Sequence, residues 1–420
     1  MGITGESVYR LLLQLGIAPH EISTYDDKNK ADFHNSADLL EKCQPKTLIV
    51  SPGFPLSTPW IQKFVQEGGQ ITSELSLALE HISDEKIIAV TGALGKSTTV
   101  SILESAFLKF SPDSFLGGNI GRPLADYVIA LLQNKRKKAP WIVLELSSFQ
   151  LENIAPLKCD FSVFTYFTGN HLDRYKNIDH YYQTKWSLLA RTKQKVVLNK
   201  NGGDLRKFVS EKASAEELEK IIWADRSLPL MKRYKLSQAM LLGGHNQDNL
   251  ALAAAIADLA KWPEIAYEGM KEFPGLPHRM ENLGKLRDVL FVNDSKATTM
   301  DSVQTAVNSI YEDTLSEWGS LYLLLGGKDK NLPWEVLQNF KKLSGLKPIF
   351  FGECAEVAQR KSALQGPVFK TLNLALEALP GLAHADDIVL LSPGGTSLDE
   401  FKNFEQRGEF FKNKIKILFG

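Results

Sequence analysis

Cysteine is scarce in this chain. Its 420 residues include only Cys43, Cys159 and Cys354, which lie far apart and form neither a metal-binding spacing nor a disulfide framework; that usage fits a reducing compartment. No apolar run approaches the ~18 residues that a membrane span needs, and no basic segment followed by an apolar one marks the N-terminus. Neither a membrane span nor a signal peptide is expected. A net charge is missing too, since 49 basic residues offset 49 acidic ones. Binding of nucleic acid or of an anionic membrane by bulk attraction is therefore not expected. The run Lys135-Arg136-Lys137-Lys138 reads as a solvated loop before a strand. With no internal repeat or low-complexity tract, the composition points to a cytoplasmic α/β protein long enough for two to four domains.

Short apolar runs recur along the chain, most of them followed by helical sequence and by glycine or proline punctuation. In residues 1–80, Thr47–Val50 ends at Ser51-Pro52-Gly53, a helix follows over Thr58–Glu67, and Ile71–Thr72 is a second apolar run. This alternation predicts a small parallel-sheet domain. Met1–Ser7, with a helix over Val8–Gly16 behind it, reads as the glycine turn that normally follows a first strand. A missing first strand is the expectation there, with a flexible N-terminus as the alternative. Residues 81–277 form a second block with strands from Ile87, over Trp141–Leu146, Phe161–Thr165 and Lys195–Asn199, and with the alanine-rich helix Asp248–Leu259. The segment Lys271–Pro277 reads as its linker to a third block, residues 278–420. Strands there are predicted over Asp288–Val292, Leu321–Leu325, Pro348–Phe351 and Ile388–Leu391.

The chemistry begins at Val90-Thr91-Gly92-Ala93-Leu94-Gly95-Lys96-Ser97-Thr98-Thr99, a strand running through a glycine turn into a helix. Backbone N–H groups of such a turn can wrap a phosphate, Lys96 can reach the outer phosphates, and Ser97 can place a hydroxyl on magnesium. The alternative is a structural turn with an incidental lysine, because Val90 stands where the full motif has its leading glycine. Glu145, near the end of an apolar strand, suits either a magnesium site or a buried ion pair. His171 of Asn170-His171-Leu172-Asp173 is a ligand or a satisfied loop histidine, and Lys185 reads on composition as a snorkelling surface lysine. In the third block, Asn293–Thr298, Leu325–Asp329 and Ser392–Ser397 all follow apolar runs. They should crowd one rim of a sheet, with cations and hydroxyls suited to a carboxylate or phosphate ligand.

The ordered set of motifs resembles the Mur ligases of peptidoglycan synthesis over essentially the whole chain. It comprises the glycine turn, Glu145-Leu146-Ser147-Ser148-Phe149-Gln150-Leu151, Asn170–Asp173, Gly244-His245-Asn246, Gly275–Arg279, Asn293–Thr298 and the run Ser397–Gly408. The resemblance is strongest to the D-glutamate-adding member. It implies three α/β domains, each with a mainly parallel sheet and flanking helices: N-terminal Rossmann-like, central P-loop ATPase-like and C-terminal Rossmann-like. The implied reaction joins D-glutamate to UDP-N-acetylmuramoyl-L-alanine with ATP, through an acyl phosphate. The first domain would take UDP with Thr4 and Asp26, helped by Asn119. The central domain would hold ATP with Gly92, Gly95, Lys96, Ser97 and Thr98, and Asn246, Arg279 and Asp294 would complete the ATP contacts.

Ser97, Glu145, His171 and Lys185 resemble the magnesium site, which holds two ions, and Lys185 matches the family's carbamylated lysine. Lys96, Glu145, His171 and Lys185 would be catalytic. Thr298, Lys328, Ser397 and Phe404 would form the D-glutamate pocket. Domain closure would exclude water from the acyl phosphate. The family default is a monomer with small-molecule substrates. Ala93-Leu94 departs from the family's small residue and asparagine, which is expected to leave ATP binding in place. Competing expectations are another Mur-type or folylpolyglutamate-type amino acid ligase and, from a different class, a non-catalytic nucleotide-regulated scaffold.

Overall fold

The computed structural model describes residues 2–169, 174–313 and 319–420. Its strands in chain order are β1 (Thr47–Ile49), β2 (Gln70–Thr72), β3 (Lys86–Thr91), β4 (Phe115–Gly118), β5 (Trp141–Glu145), β6 (Cys159–Phe164), β7 (Thr192–Asn199), β8 (Ile221–Ala224), β9 (Glu281–Leu286), β10 (Val289–Asn293), β11 (Leu321–Gly326), β12 (Leu346–Phe351), β13 (Val368–Phe369) and β14 (Ile388–Gly394). They make a two-stranded sheet, β1-β2, and two six-stranded sheets ordered β4-β5-β3-β6-β7-β8 and β13-β12-β11-β14-β10-β9. Every pairing is parallel except β9 with β10. Helices connect most of the strands, giving the expected α/β class with three sheets. Among the described residues no helix is long and apolar enough to cross a membrane.

The chain separates into two compact units. The first comprises residues Met1–Met231 with Asp248–Met270 and contains β1 to β8. Ile142, Leu144, Phe164 and Leu198 of its large sheet share one apolar core with helix residues such as Val128 and Leu188. Leu11, Leu75 and Ala78 belong to that same core, so the helices Ile3–Gln14 and Glu74–Leu79 are packed into the central sheet's own core. The helix Ile3–Gln14 is tied to the helix Leu124–Leu132 by Ser7 Oγ and Arg10, which donate to the Asp126 carboxylate at 2.6 and 2.7 Å. Helix formation begins at Ile3, five residues earlier than the glycine-turn reading places it. Gly2 is the extended N-cap, and Ser7, Val8 and Leu11 face inward at helical spacing. Gly5 is carried inside the helix at a cost of about 1 kcal/mol.

The second unit comprises Lys232–Gln247 with Lys271–Gly420 and contains β9 to β14. Successive residues of its central strands alternate between two cores. Leu323, Leu325, Ile388 and Leu390 lie on one face of the sheet, and Leu324, Val389 and Leu391 on the other. That is the period of 2 of an extended strand buried on both sides, and it explains the uninterrupted apolar runs. The antiparallel β9 was not anticipated. It turns into β10 through Arg287 and Asp288, both at positive φ (48° and 60°). Two successive left-handed residues make a tight hairpin, but Arg-Asp lacks the Asn-Gly signature that announces one.

Candidate active site

In the first unit, β3 is buried from Ile87 to Thr91 and delivers the chain to the glycine turn. Val90 is still inside the strand, paired with Glu145 of β5 and Val163 of β6. The turn is therefore only residues 92–95, and no glycine is needed at 90. Gly92 (φ 149°) and Gly95 (φ 84°) are required by geometry. A Cβ on Gly92 would lie 2.1 Å from Thr165 Oγ1, and one on Gly95 would lie 2.7 Å from Asn249 Oδ1. The turn is braced by the two residues that follow β6: Ala93 N–H donates to Tyr166 O (2.7 Å) and Thr165 Oγ1 donates to Leu94 O (2.5 Å). Leu94 points its side chain outward, at 58% exposure, so this departure from the family pattern leaves the turn's bracing to backbone and Thr165.

The helix Lys96–Leu108 starts at Gly95, which has no side chain to cap it. Uncapped N–H groups behind a glycine turn, with Ser97 and Thr98 half-buried beside them, make an anion cradle. Lys96 Nζ folds back to donate to Gly92 O (2.9 Å) and Ala93 O (3.1 Å). Lys185, on the helix Ile178–Ala190, converges on the same place, its Nζ donating to Gly92 O at 3.0 Å. Lys185 is 1% exposed and its Nζ sits 4.7 Å from the centre of the Tyr181 ring. It is not a snorkelling surface residue. Burial lowers its pKa to about 7, helped by the Lys96 charge and opposed by Glu145, so the amine is substantially neutral near pH 7.

Glu145 ends β5 at 1% exposure. Its Oε1 accepts from Asn119 Nδ2 (2.7 Å), and Asn119 N–H donates to Glu145 O (2.8 Å). Its buried Oε2 has no hydrogen-bond partner among the described residues. An orphaned buried carboxylate oxygen beside a phosphate cradle is what a divalent cation would satisfy, so these residues fit magnesium. His171 lies outside the described residues. Thr4 is in the first turn of the helix Ile3–Gln14. Asp26 accepts from the Lys28 and Asn29 N–H groups at 2.9 and 2.8 Å, and those bonds hold its carboxyl down to about 2.

In the second unit, the parallel order β11-β14-β10 brings three loops to the carboxyl edge of one sheet. Thr298 follows β10, Lys328 follows β11 and Ser397 follows β14; Lys328 and Thr396 exchange backbone hydrogen bonds of 2.8 and 3.0 Å. Phe404 opens the helix Phe404–Phe419, capped by Asn403. Lys328 is exposed, Ser397 buried, and Thr298 and Phe404 are half-buried. Asp294 is buried, accepting from Met280 N–H (3.2 Å) and Ser392 Oγ (2.8 Å), and burial raises it to about 7. Arg279 is exposed, and the preceding His278 is buried against Asn293 at 3.0 Å. Asn246 is buried, its Nδ2 donating to Leu242 O (2.8 Å).

The expected residues thus form two groups. The nucleotide-side residues Gly92 to Thr98, Asn119, Glu145 and Lys185 lie in the first unit with Thr4 and Asp26, and Asn246, Arg279, Asp294, Thr298, Lys328, Ser397 and Phe404 lie in the second. Thr165 and Asn249, which shape the turn, were not singled out. A threonine ending an apolar strand and an asparagine in an alanine-rich helix carry no local signal of such a task.

The Mur ligase middle domain model matches residues 90–257. A UDP-N-acetylmuramoylalanine–D-glutamate ligase of Buchnera aphidicola is 30% identical over 99% of this chain and 96% of its own. The enzyme of the same name from Pseudothermotoga lettingae is 30% identical over 100% and 97%. Among solved structures, the UDP-N-acetylmuramoylalanyl-D-glutamyl-2,6-diaminopimelate–D-alanyl-D-alanyl ligase of Acinetobacter baumannii shares the fold, with a TM-score of 0.56 at 16% identity over 88% of this chain and 89% of its own. With the phosphate turn, the buried carboxylate and the lysine pair in place, and with whole-length relatives of this kind, the chain belongs to the Mur ligase family.

Proposed function

We propose that this protein joins D-glutamate to UDP-N-acetylmuramoyl-L-alanine, with ATP cleaved to ADP and phosphate, in peptidoglycan precursor synthesis. One observation carries the reading: Lys96 and the buried Lys185 meet on the Gly92 carbonyl of an uncapped phosphate turn, in a family of ATP-dependent amide ligases. The N-terminal N–H groups of the helix Lys96–Leu108 and the Lys96 ammonium would hold the triphosphate and stabilise the charge of the transferring phosphoryl group. The substrate carboxylate attacks the γ-phosphorus and ADP leaves. The D-glutamate amine then attacks the acyl phosphate carbonyl, and the tetrahedral adduct expels phosphate to leave the amide.

Ser97 and Glu145, with His171, would hold magnesium, and two ions are part of this reading. Magnesium, when bound, supplies neutralisation of phosphate charge. The neutral Lys185 amine can add CO2 to form a carbamate, which would turn a cation into an anionic ligand for the second ion. Thr4, Asp26 and Asn119 are proposed for the UDP-sugar, Asn246, Arg279 and Asp294 for ATP, and Thr298, Lys328, Ser397 and Phe404 for D-glutamate. The enzyme is proposed to work as a cytoplasmic monomer with domains over 1–80, 81–277 and 278–420.

Phosphate release is the test. It should require ATP, UDP-N-acetylmuramoyl-L-alanine and D-glutamate together, saturating in each. A panel of amino acids in place of D-glutamate separates this reading from another Mur-type or folylpolyglutamate-type ligase. ATP binding without phosphate release would support the non-catalytic scaffold instead.

A further inference from the structure

The run Ser397–Gly408 contains a residue to which the reaction above gives no task. Arg407 is 0% exposed, and among the described residues it forms no ion pair. Its donors go to backbone and hydroxyl oxygens: Nε to Ser295 Oγ (3.1 Å), NH2 to Ser295 O (2.9 Å) and NH1 to Gly395 O (3.1 Å). Ser295 Oγ in turn donates to Phe404 O at 2.8 Å. On the remaining side the guanidinium lies against Gly327 (φ 99°), where a Cβ would come within 2.9 Å of NH1. One buried fork therefore touches the loops after β10, β11 and β14, which carry Thr298, Lys328 and Ser397, and reaches the backbone of Phe404 through a single hydroxyl.

Burying a cation is costly when the carboxylates that act on it, Asp399 and Glu400, form no direct ion pair with it among the described residues, and an apolar side chain of similar volume would fill the space more cheaply. Burial lowers the pKa of Arg407 to about 10, which leaves it charged at neutral pH. Its planar fork joins groups from separate loops in a fixed geometry that a single ammonium cannot reproduce. In a low-dielectric surround its charge also acts on the rim above it.

We propose that Arg407 is a positioning residue for the amino-acid acceptor, holding the three rim loops and Phe404 in one register and adding positive potential to a rim that receives a carboxylate. The proposal rests on the reading that this rim takes the acceptor. The step is tested by steady-state kinetics of Arg407→Met and Arg407→Lys, with acceptor, ATP and UDP-sugar varied in turn. The acceptor KM should rise about tenfold or more in the methionine variant, the scale of one lost charge-assisted hydrogen bond. Lysine should recover part of it, and the KM values for ATP and UDP-sugar should stay within about twofold. A fall in kcat with the acceptor KM unchanged, or an equal rise of all three KM values, would overturn the proposal.

If the Arg407 variants do not fold, Ser295→Ala removes only the hydroxyl between Arg407 and Phe404. It should raise the acceptor KM a few-fold and spare that of ATP; an unchanged acceptor KM again overturns the proposal. The amino-acid panel on the wild type keeps the two claims apart. If the wild type rejects D-glutamate and uses another amino acid, the D-glutamate reading falls and Arg407 is judged with the amino acid used. A wild type that uses no amino acid overturns both.

Discussion

Glu74 opens the helix Glu74–Leu79 in the first unit, and its Oε1 accepts the Ala125 N–H at 2.6 Å in the first turn of the helix Leu124–Leu132. It is 6% exposed. Burial is the largest influence on its carboxyl; the Ala125 N–H opposes it, the Asp126 charge adds to it, and the result is a pKa raised to about 7. The unfolded chain has the ordinary value of 4.5, so between the two values the folded state holds the proton and the unfolded state does not. The stabilisation from the neutral carboxyl is therefore full below pH 4.5 and is lost as pH rises to about 7. That interval, at about 1.36 kcal/mol per pH unit, is worth about 3 kcal/mol. Glu74→Gln keeps an oxygen for the Ala125 N–H and removes the titration. Relative to wild type, the variant should gain about 3 kcal/mol on going from pH 4.5 to pH 8. Urea unfolding at a series of pH values measures this. Amide exchange in residues 124–132 reports it locally, since two compact units need not unfold together. A wild-type-minus-variant difference that stays constant across that range would refute the burial argument.

Lys185→Ala should abolish turnover, and partial rescue by short-chain carboxylic acids would support the carbamate; wild-type rates in the variant would end that idea. Glu145→Gln should move the magnesium midpoint of phosphate release to higher concentration by about tenfold or more, whereas an unchanged metal titration makes Glu145 a structural partner of Asn119. Gly95→Ala, at φ 84° with a Cβ 2.7 Å from Asn249 Oδ1, should weaken ATP binding by at least about tenfold. Binding within about twofold of wild type would mean that the turn is not the phosphate cradle. Lys328→Ala should raise the D-glutamate KM far more than that for ATP, and equal effects on both would point to a role in the fold.

Much was legible because it is local. A buried parallel strand must be apolar throughout, a phosphate turn must spend glycines, and both leave their marks within ten residues. Strands β3, β5, β6, β10, β11, β12 and β14 were placed to within a few residues for that reason. The edge strands β4, β8, β9 and β13 were not, since runs of two to six residues, with glycines in β4 and β9 and no alternation in β8 or β13, carry no period of their own. The helix start at Ile3 was misplaced because a glycine pair looks like a turn until the inward packing of Ser7, Val8 and Leu11 is known.

Lys185 shows where local reading ends. Its aromatic neighbours suit a surface lysine equally well, and only resemblance to relatives marked it out. The sequence by itself determined the α/β class, the phosphate turn and, through the order of its motifs, the family. Only the tertiary structure decided that two lysines share the Gly92 carbonyl, that Glu145 keeps one buried oxygen without a partner among the described residues, and that Arg407 ties three loops together. Those properties depend on desolvation and on partners far away in the chain, which are set by packing and leave no pattern in neighbouring residues.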